Sequence, residues 1–306
     1  MNINEELGFS PDDIILVVHA DDMGMCRATN HGCLSLLQKK VVTSASVMVP
    51  CPGFDEVAEM AQADSSLDLG VHLTLVAEGG DESFWRPVSD DVPSLVNDDG
   101  IFYTEPAELF KNATLEDIEK ECRAQIERAI SAGIDVTHID SHMGNMFEGS
   151  LILLYAKLAI EYGVVCMLPV IKLYDTFVQR YYIEAVKLLH EHRWPGVFHI
   201  SPDIHPDAPD DPMASFELRL QLLQPGINYW IVHPADPAFY DKNAIFADPH
   251  ERSAAYQLYS DHWAADWRVK RNFFDSVVDG VVSMGDVKKA CALKDTEKTR
   301  RILYSF

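Results

Sequence analysis

The chain has 306 residues, 47% of them hydrophobic and 24% charged, enough apolar material for one large domain or two ordinary ones. Its 25 basic and 48 acidic residues leave a net charge of −23, which repels phosphate backbones and anionic lipid surfaces and so argues against nucleic-acid or membrane partners. Six cysteines lie scattered without CxxC spacing, Met1 to Asp13 does not read as a signal peptide, and no run of about 18 apolar residues occurs, so the expectation is a reduced, soluble, cytoplasmic protein.

Short β-branched runs alternate with longer helical patterns, the mark of a βα fold. The first strand is predicted over Ile14–His19 and runs into Ala20-Asp21-Asp22-Met23-Gly24. Two adjacent carboxylates repel each other unless a cation lies beside them. Alternation along the strand would aim one at such an ion and leave the other free to act as a base. The plainer alternative is that the pair opens a turn and caps the helix predicted over Arg27–Lys39.

A second strand, Ser44–Val49, and a helix, Gly53–Ala61, lead to a third strand, Leu69–Leu75. There Val71, Leu73 and Leu75 share one face, which suits an outer helical layer, so His72 should point inward with Thr74. A long connection from Val76 to about Thr114 carries Trp85, Arg86 and Tyr103. Loops of that length in a compact domain usually have a function, and these three side chains are candidates for contacting a substrate or for pinning the loop.

After a helix at Leu115–Ala132, the fourth strand, Val136–Asp140, opens the run His138-Ile139-Asp140-Ser141-His142. Alternate positions put all three ionisable groups on one face, where packing alone leaves their charges unpartnered. At ~3.3 Å per residue, His138 and His142 stand ~13 Å apart on a straight strand and cannot share one ion. His142 lies nearer the mouth and is the better ligand; Asp140 would support the ligands, and His138 would be a deeper orienting residue. Further helices are expected at Leu151–Tyr162, Tyr174–His192, Ala214–Leu223 and Ser253–Arg271, and further strands at Val164–Val170, Val197–Ser201, Asn228–His233 and Val277–Val282. His233, with Pro234 ending its strand, is well placed for acid–base work, whereas His199, His205, His250 and His262 read as surface or loop residues. Eight strands with intervening helices predict a distorted (β/α) barrel, TIM-barrel-like, in one domain over residues 1–306 with inserted loops near 76–114 and 202–212.

Together Ala20-Asp21-Asp22, Gly70-Val71-His72-Leu73-Thr74, His138-Ile139-Asp140-Ser141-His142 and His233-Pro234 resemble, in order and spacing, the YdjC-like carbohydrate deacetylases, the family that includes chitooligosaccharide deacetylase. The resemblance implies a barrel fold, Asp22, His72 and His142 as ligands of one divalent metal ion, Asp21 as general base and His233 as general acid. It also implies removal of an N-acetyl group from an amino sugar or small oligosaccharide. One carboxylate and two imidazoles suit zinc, with magnesium, manganese or cobalt as alternatives. A small carbohydrate is the expected partner, and a homo-oligomer is compatible with the sequence. Departures are His19 where the family usually has Asn, Met143-Gly144-Asn145 in place of a further histidine, and Ala235 after the His-Pro pair instead of Gly. The alternatives are another barrel metallohydrolase acting on a phosphoester or cyclic amide, or a carbohydrate-binding homologue without catalysis.

Overall fold

The structure is a computed structural model that describes residues 3–78, 84–170, 176–201, 219–240 and 278–292. Within them, strands β1 (Ile14–Met23), β2 (Ser44–Val47), β3 (Leu69–Leu73), β4 (Val136–Ser141), β5 (Val165–Cys166), β6 (Leu168–Pro169), β7 (Val197–Ser201), β8 (Gly226–Val232) and β9 (Gly280–Val281) join one sheet. Every pairing between them is parallel. The order runs β5-β4-β3-β2-β1-β8-β7-β6, with β9 added to β1. Met167 alone separates β5 from β6, so the two ends of that order are consecutive in the chain and the sheet is a nearly closed barrel. The single strand expected at Val164–Val170 is thus broken in two, one half bonded to each neighbour.

Helices α1 (Ile3–Glu6), α2 (Arg27–Gln38), α3 (Phe54–Ala63), α4 (Pro106–Asn112), α5 (Leu115–Ser131), α6 (Leu151–Tyr162), α7 (Thr176–Glu191) and α8 (Met284–Ala292) accompany the strands. Their limits follow local chemistry. Thr114 accepts the Asp117 N–H at 3.2 Å to begin α5, whose first turn carries Glu116 and Asp117. Gly163 closes α6 in the left-handed conformation. The helices predicted at Ser253–Arg271 and across most of Ala214–Leu223, the loop near 202–212, and His205, His250 and His262 lie outside the described residues.

Alternation on each strand divides the core in two. Leu16, Val18 and Ala20 on β1, Val71 and Leu73 on β3, and Trp230 and Val232 on β8 join the cluster under the helices. Ile15, Val17, Met167, Phe198, Ile227 and Tyr229 fill the interior, closed at one end by Met284 and Val287 of α8. The interior faces of β1 and β8 therefore read apolar at the bottom and ionisable at the top: Ile15, Val17, His19 and Asp21 on one, Ile227, Tyr229, Ile231 and His233 on the other. Strand C-terminal ends at a barrel mouth are where such folds build sites.

A candidate metal centre at the barrel mouth

Alternation alone would part Asp21 from Asp22, but the structure differs there. The β1–β2 register shifts between Ala20 and Met23, and Asp22 sits in the left-handed region at φ 64°. This bulge turns the second carboxylate to the mouth as well. Asp22 Oδ1 lies 3.3 Å from His72 Nε2 and 3.5 Å from His142 Nδ1, and all three residues are buried. His142 is delivered by the end of β4, immediately before the chain reverses through Met143 and Gly144 at φ 51° and 67°.

The surrounding groups orient the ligand candidates. Asp140 Oδ1 is 2.7 Å from His72 Nδ1, which leaves Nε2 for the cluster. Asp140 Oδ2 accepts the Tyr229 hydroxyl at 3.0 Å and lies 3.2 Å from His19 Nε2. Burial disfavours the His72 imidazolium, but the carboxylates Asp140, Asp22 and Asp21 overcome it and hold its pKa well above the usual 6.5. Burial likewise opposes the Asp140 charge, yet His72 and His19 keep that carboxyl well below its usual range. Burial is the largest influence on Asp21 and, with the Asp140 charge, pushes its carboxyl up against the pull of His72, His19 and His233. His233, 30% exposed, brings Nε2 to 3.8 Å from Asp21 Oδ2.

These residues fit a divalent cation. Ligand atoms ~2.0–2.1 Å from a tetrahedral ion stand ~3.3–3.4 Å from one another, close to the 3.3 and 3.5 Å separations between Asp22 Oδ1 and the two imidazoles. The donor set itself, one carboxylate and two imidazoles brought together in the buried interior, is of the kind that holds a divalent cation. Ligand atoms lying within 4.8 Å of one another also bring together Asp21, His72 and Asp140, and His19, His138 and Asp140. His138 and His142 thus fall into different groups, as strand geometry demands.

Beside His72, a cavity of about 230 Å³ is lined by the polar groups of Asp21, His72, Asp140 and His233 and by the apolar side chains of Met143, Phe147, Met167, Ile200 and Ile231. Of the three loop candidates, Trp85 is fully buried and lies parallel to the His142 ring, with centroids 6.1 Å apart. It has no open face to offer a pyranose. Arg86 donates to the carbonyls of Asp99 and Gly100, and Tyr103 is half-buried with its carbonyl accepting the Ala77 N–H, so these two hold the loop's shape.

The sequence reading passed over four contributors. Ser44 and Ser46 on β2 bond the His19 ring, and Ser46 also reaches His72. Tyr229 holds Asp140, and Glu78 Oε2 lies 3.7 Å from His142 Nε2. Polar alternation in Ser44-Ala45-Ser46 and the shared parity of Tyr229 with His233 were signals for three of them; Glu78, beyond the end of β3, had none.

The YdjC-like protein family model matches residues 15–270. A carbohydrate deacetylase of Brevibacillus brevis is 38% identical over 154 residues, 50% of this chain and 59% of that protein. One from Listeria monocytogenes is 32% identical over 193 residues, 58% of this chain and 75% of that protein. Among solved structures, a candidate cellobiose-phosphate cleavage protein of Enterococcus faecalis V583 superposes with a TM-score of 0.66 at 20% identity, covering 89% of this chain and 98% of that one, a likeness of fold.

Proposed function

Because this chain belongs to the YdjC-like family, we propose that it is a metal-dependent hydrolase removing the N-acetyl group of an amino sugar or small oligosaccharide. The observation that carries the reading is the buried meeting of Asp22, His72 and His142, with His72 also lining a cavity together with Asp21 and His233. Amides are poor electrophiles with poor leaving groups, so hydrolysis needs an activated water, a stabilised oxyanion and a proton donor. Asp22, His72 and His142 would hold a divalent cation, which would supply Lewis acidity toward water and toward the amide carbonyl. Zinc suits the mixed nitrogen and oxygen donors.

The remaining roles fall to the chain itself. Asp21, its carboxyl pKa raised by burial, takes the proton from water. His233, half-buried across the cavity from it, delivers a proton to the departing amine. Asp140 fixes the His72 tautomer, and Trp85 backs His142. The loop held by Arg86 and Tyr103 bears on sugar binding through its shape. Met167, Ile200 and Ile231 give the same cavity an apolar lining, which would suit the methyl of an acetyl group.

The test is acetate release from a panel of N-acetylated mono- and disaccharides, with and without chelator. Acetate should appear, vanish with chelator and return with added zinc. A metal-loaded protein that releases none from any member sinks the proposal.

A further inference from the structure

Among the buried ionisable groups, His19 has no part in the roles assigned above. It lies on β1 two residues before Asp21 and is fully buried. Its Nδ1 is 2.8 Å from Ser44 Oγ, and its ring stacks on Tyr229 with centroids 4.7 Å apart. Its Nε2 lies 3.3 Å from Asp21 Oδ1 and 3.2 Å from Asp140 Oδ2, with Ser46 Oγ at 3.1 Å. An imidazole nitrogen facing two carboxylates must carry the proton, since a lone pair there would be repelled by both. The Ser44 hydroxyl is then the donor to Nδ1. Ring, hydroxyl and aromatic stack leave the histidine one position.

We propose that His19 is a positioning residue for Asp21: wedged between the Asp21 and Asp140 carboxylates and anchored by Ser44, its Nε2–H edge, 3.3 Å from Asp21 Oδ1, steadies that oxygen electrostatically and so leaves Oδ2 presented to His233 and the cavity. The support is steric and electrostatic together. Asp21 Oδ1 is buried with no hydrogen bond of standard geometry among the described residues, and His19 Nε2 is the close cation-capable neighbour on that side, while His233 approaches Oδ2. The same Nε2 reaches Asp140, which holds His72, so one ring ties the proposed base to the proposed metal centre without touching a ligand. This rests on the deacetylase reading for its kinetic consequence, though not for its geometry.

The experiment compares His19→Gln, whose amide N–H reaches the former Nε2 position, with His19→Met, which fills similar volume with no donor. On the N-acetylated sugar panel, H19M should lose about 100-fold in kcat, a general-base share, with KM and one zinc per chain unchanged, and H19Q should restore most of that loss. Independently of turnover, nitrogen-15 NMR of the histidine rings should find His19 protonated at Nε2, with that resonance moving in D21N. If no sugar is turned over by the parent protein, the deacetylase reading fails and the NMR pair still decides the coupling. H19M with parental kcat, a His19 protonated at Nδ1, or a second zinc per chain that disappears in H19M, which would make His19 a ligand with His138 and Asp140, would each overturn the proposal.

Discussion

The Asp21 and Asp22 carboxylates are adjacent in sequence and differ in surroundings because one backbone angle differs. With φ at 64°, Asp22 leaves strand alternation and joins His72 and His142, while Asp21 keeps the interior parity of His19. Substitutions should separate the two. Asp21→Asn should bind zinc with parental stoichiometry yet lose about 10²–10⁴-fold in kcat, the usual worth of a positioned base. His72→Ala and His142→Ala should lose zinc and acetate release together, read by metal analysis of dialysed protein. A quieter residue matters as much for the geometry: Gly70 lies against His138, and a Cβ there would stand within about 2.4–2.6 Å of three ring atoms. Gly70→Ala should therefore cost about 1–3 kcal/mol in urea unfolding, the range for overpacking a filled core, and a variant as stable as the parent would mean the ring has room to move. Most of these ionisable residues were readable from parity on two strands. The joint arrival of Asp21 and Asp22 was not, because a bulge breaks the period on which that reading depends.

At the scale of elements, the long β3–α5 connection shows how loop shape is enforced. Helix α5 aims Glu121 at the backbone N–H groups of Val88 and Ser89, and Asp117 at the N–H and hydroxyl of Ser94. An antiparallel bridge between Val96 and Phe102 and the Arg86 contacts complete a folded excursion that seats Trp85 on His142. The Ser94 hydroxyl, more than any other group, lowers the Asp117 pKa below the usual 3.8. A carboxyl whose folded pKa is depressed contributes stability that is full above its unfolded value and lost as pH falls through the folded one. Asp117→Asn should thus be less stable than the parent at neutral pH, and the gap should narrow as pH drops below 3.8; urea midpoints measured from pH 7 to pH 2 check the sign. The sequence marked this stretch as long and aromatic, but its purpose as a support for His142 was hidden. The contacts that decide it join residues some 30 positions apart, beyond any local pattern.

For the whole molecule, a net charge of −23 and a buried cluster of like-charged carboxylates at the mouth both favour cation binding. A ligand that binds only the folded state stabilises it by about 2.7 kcal/mol at a hundredfold excess over its Kd. Chelator should accordingly lower Tm by several degrees, zinc should restore it, and Asp22→Ala should melt at the same temperature with or without chelator. No helix among the described residues is long and apolar enough to cross a membrane, and the six cysteines, all described, are unpaired by disulfides. The eight expected strands each find a counterpart, one of them split around Met167, because β-branched runs with buried faces carry their signal locally. By itself the sequence determined the barrel's rhythm, the inward parity of His72, His138 and Asp140, and the order of the motifs, all set by side-chain alternation at short range. Only the tertiary structure decided that Asp22 swings to His72 and His142, that His19 lies between two carboxylates, and that Trp85 is walled in. Those outcomes depend on a register shift and on contacts between distant strands, where the energy of packing and charge burial overrides any local period.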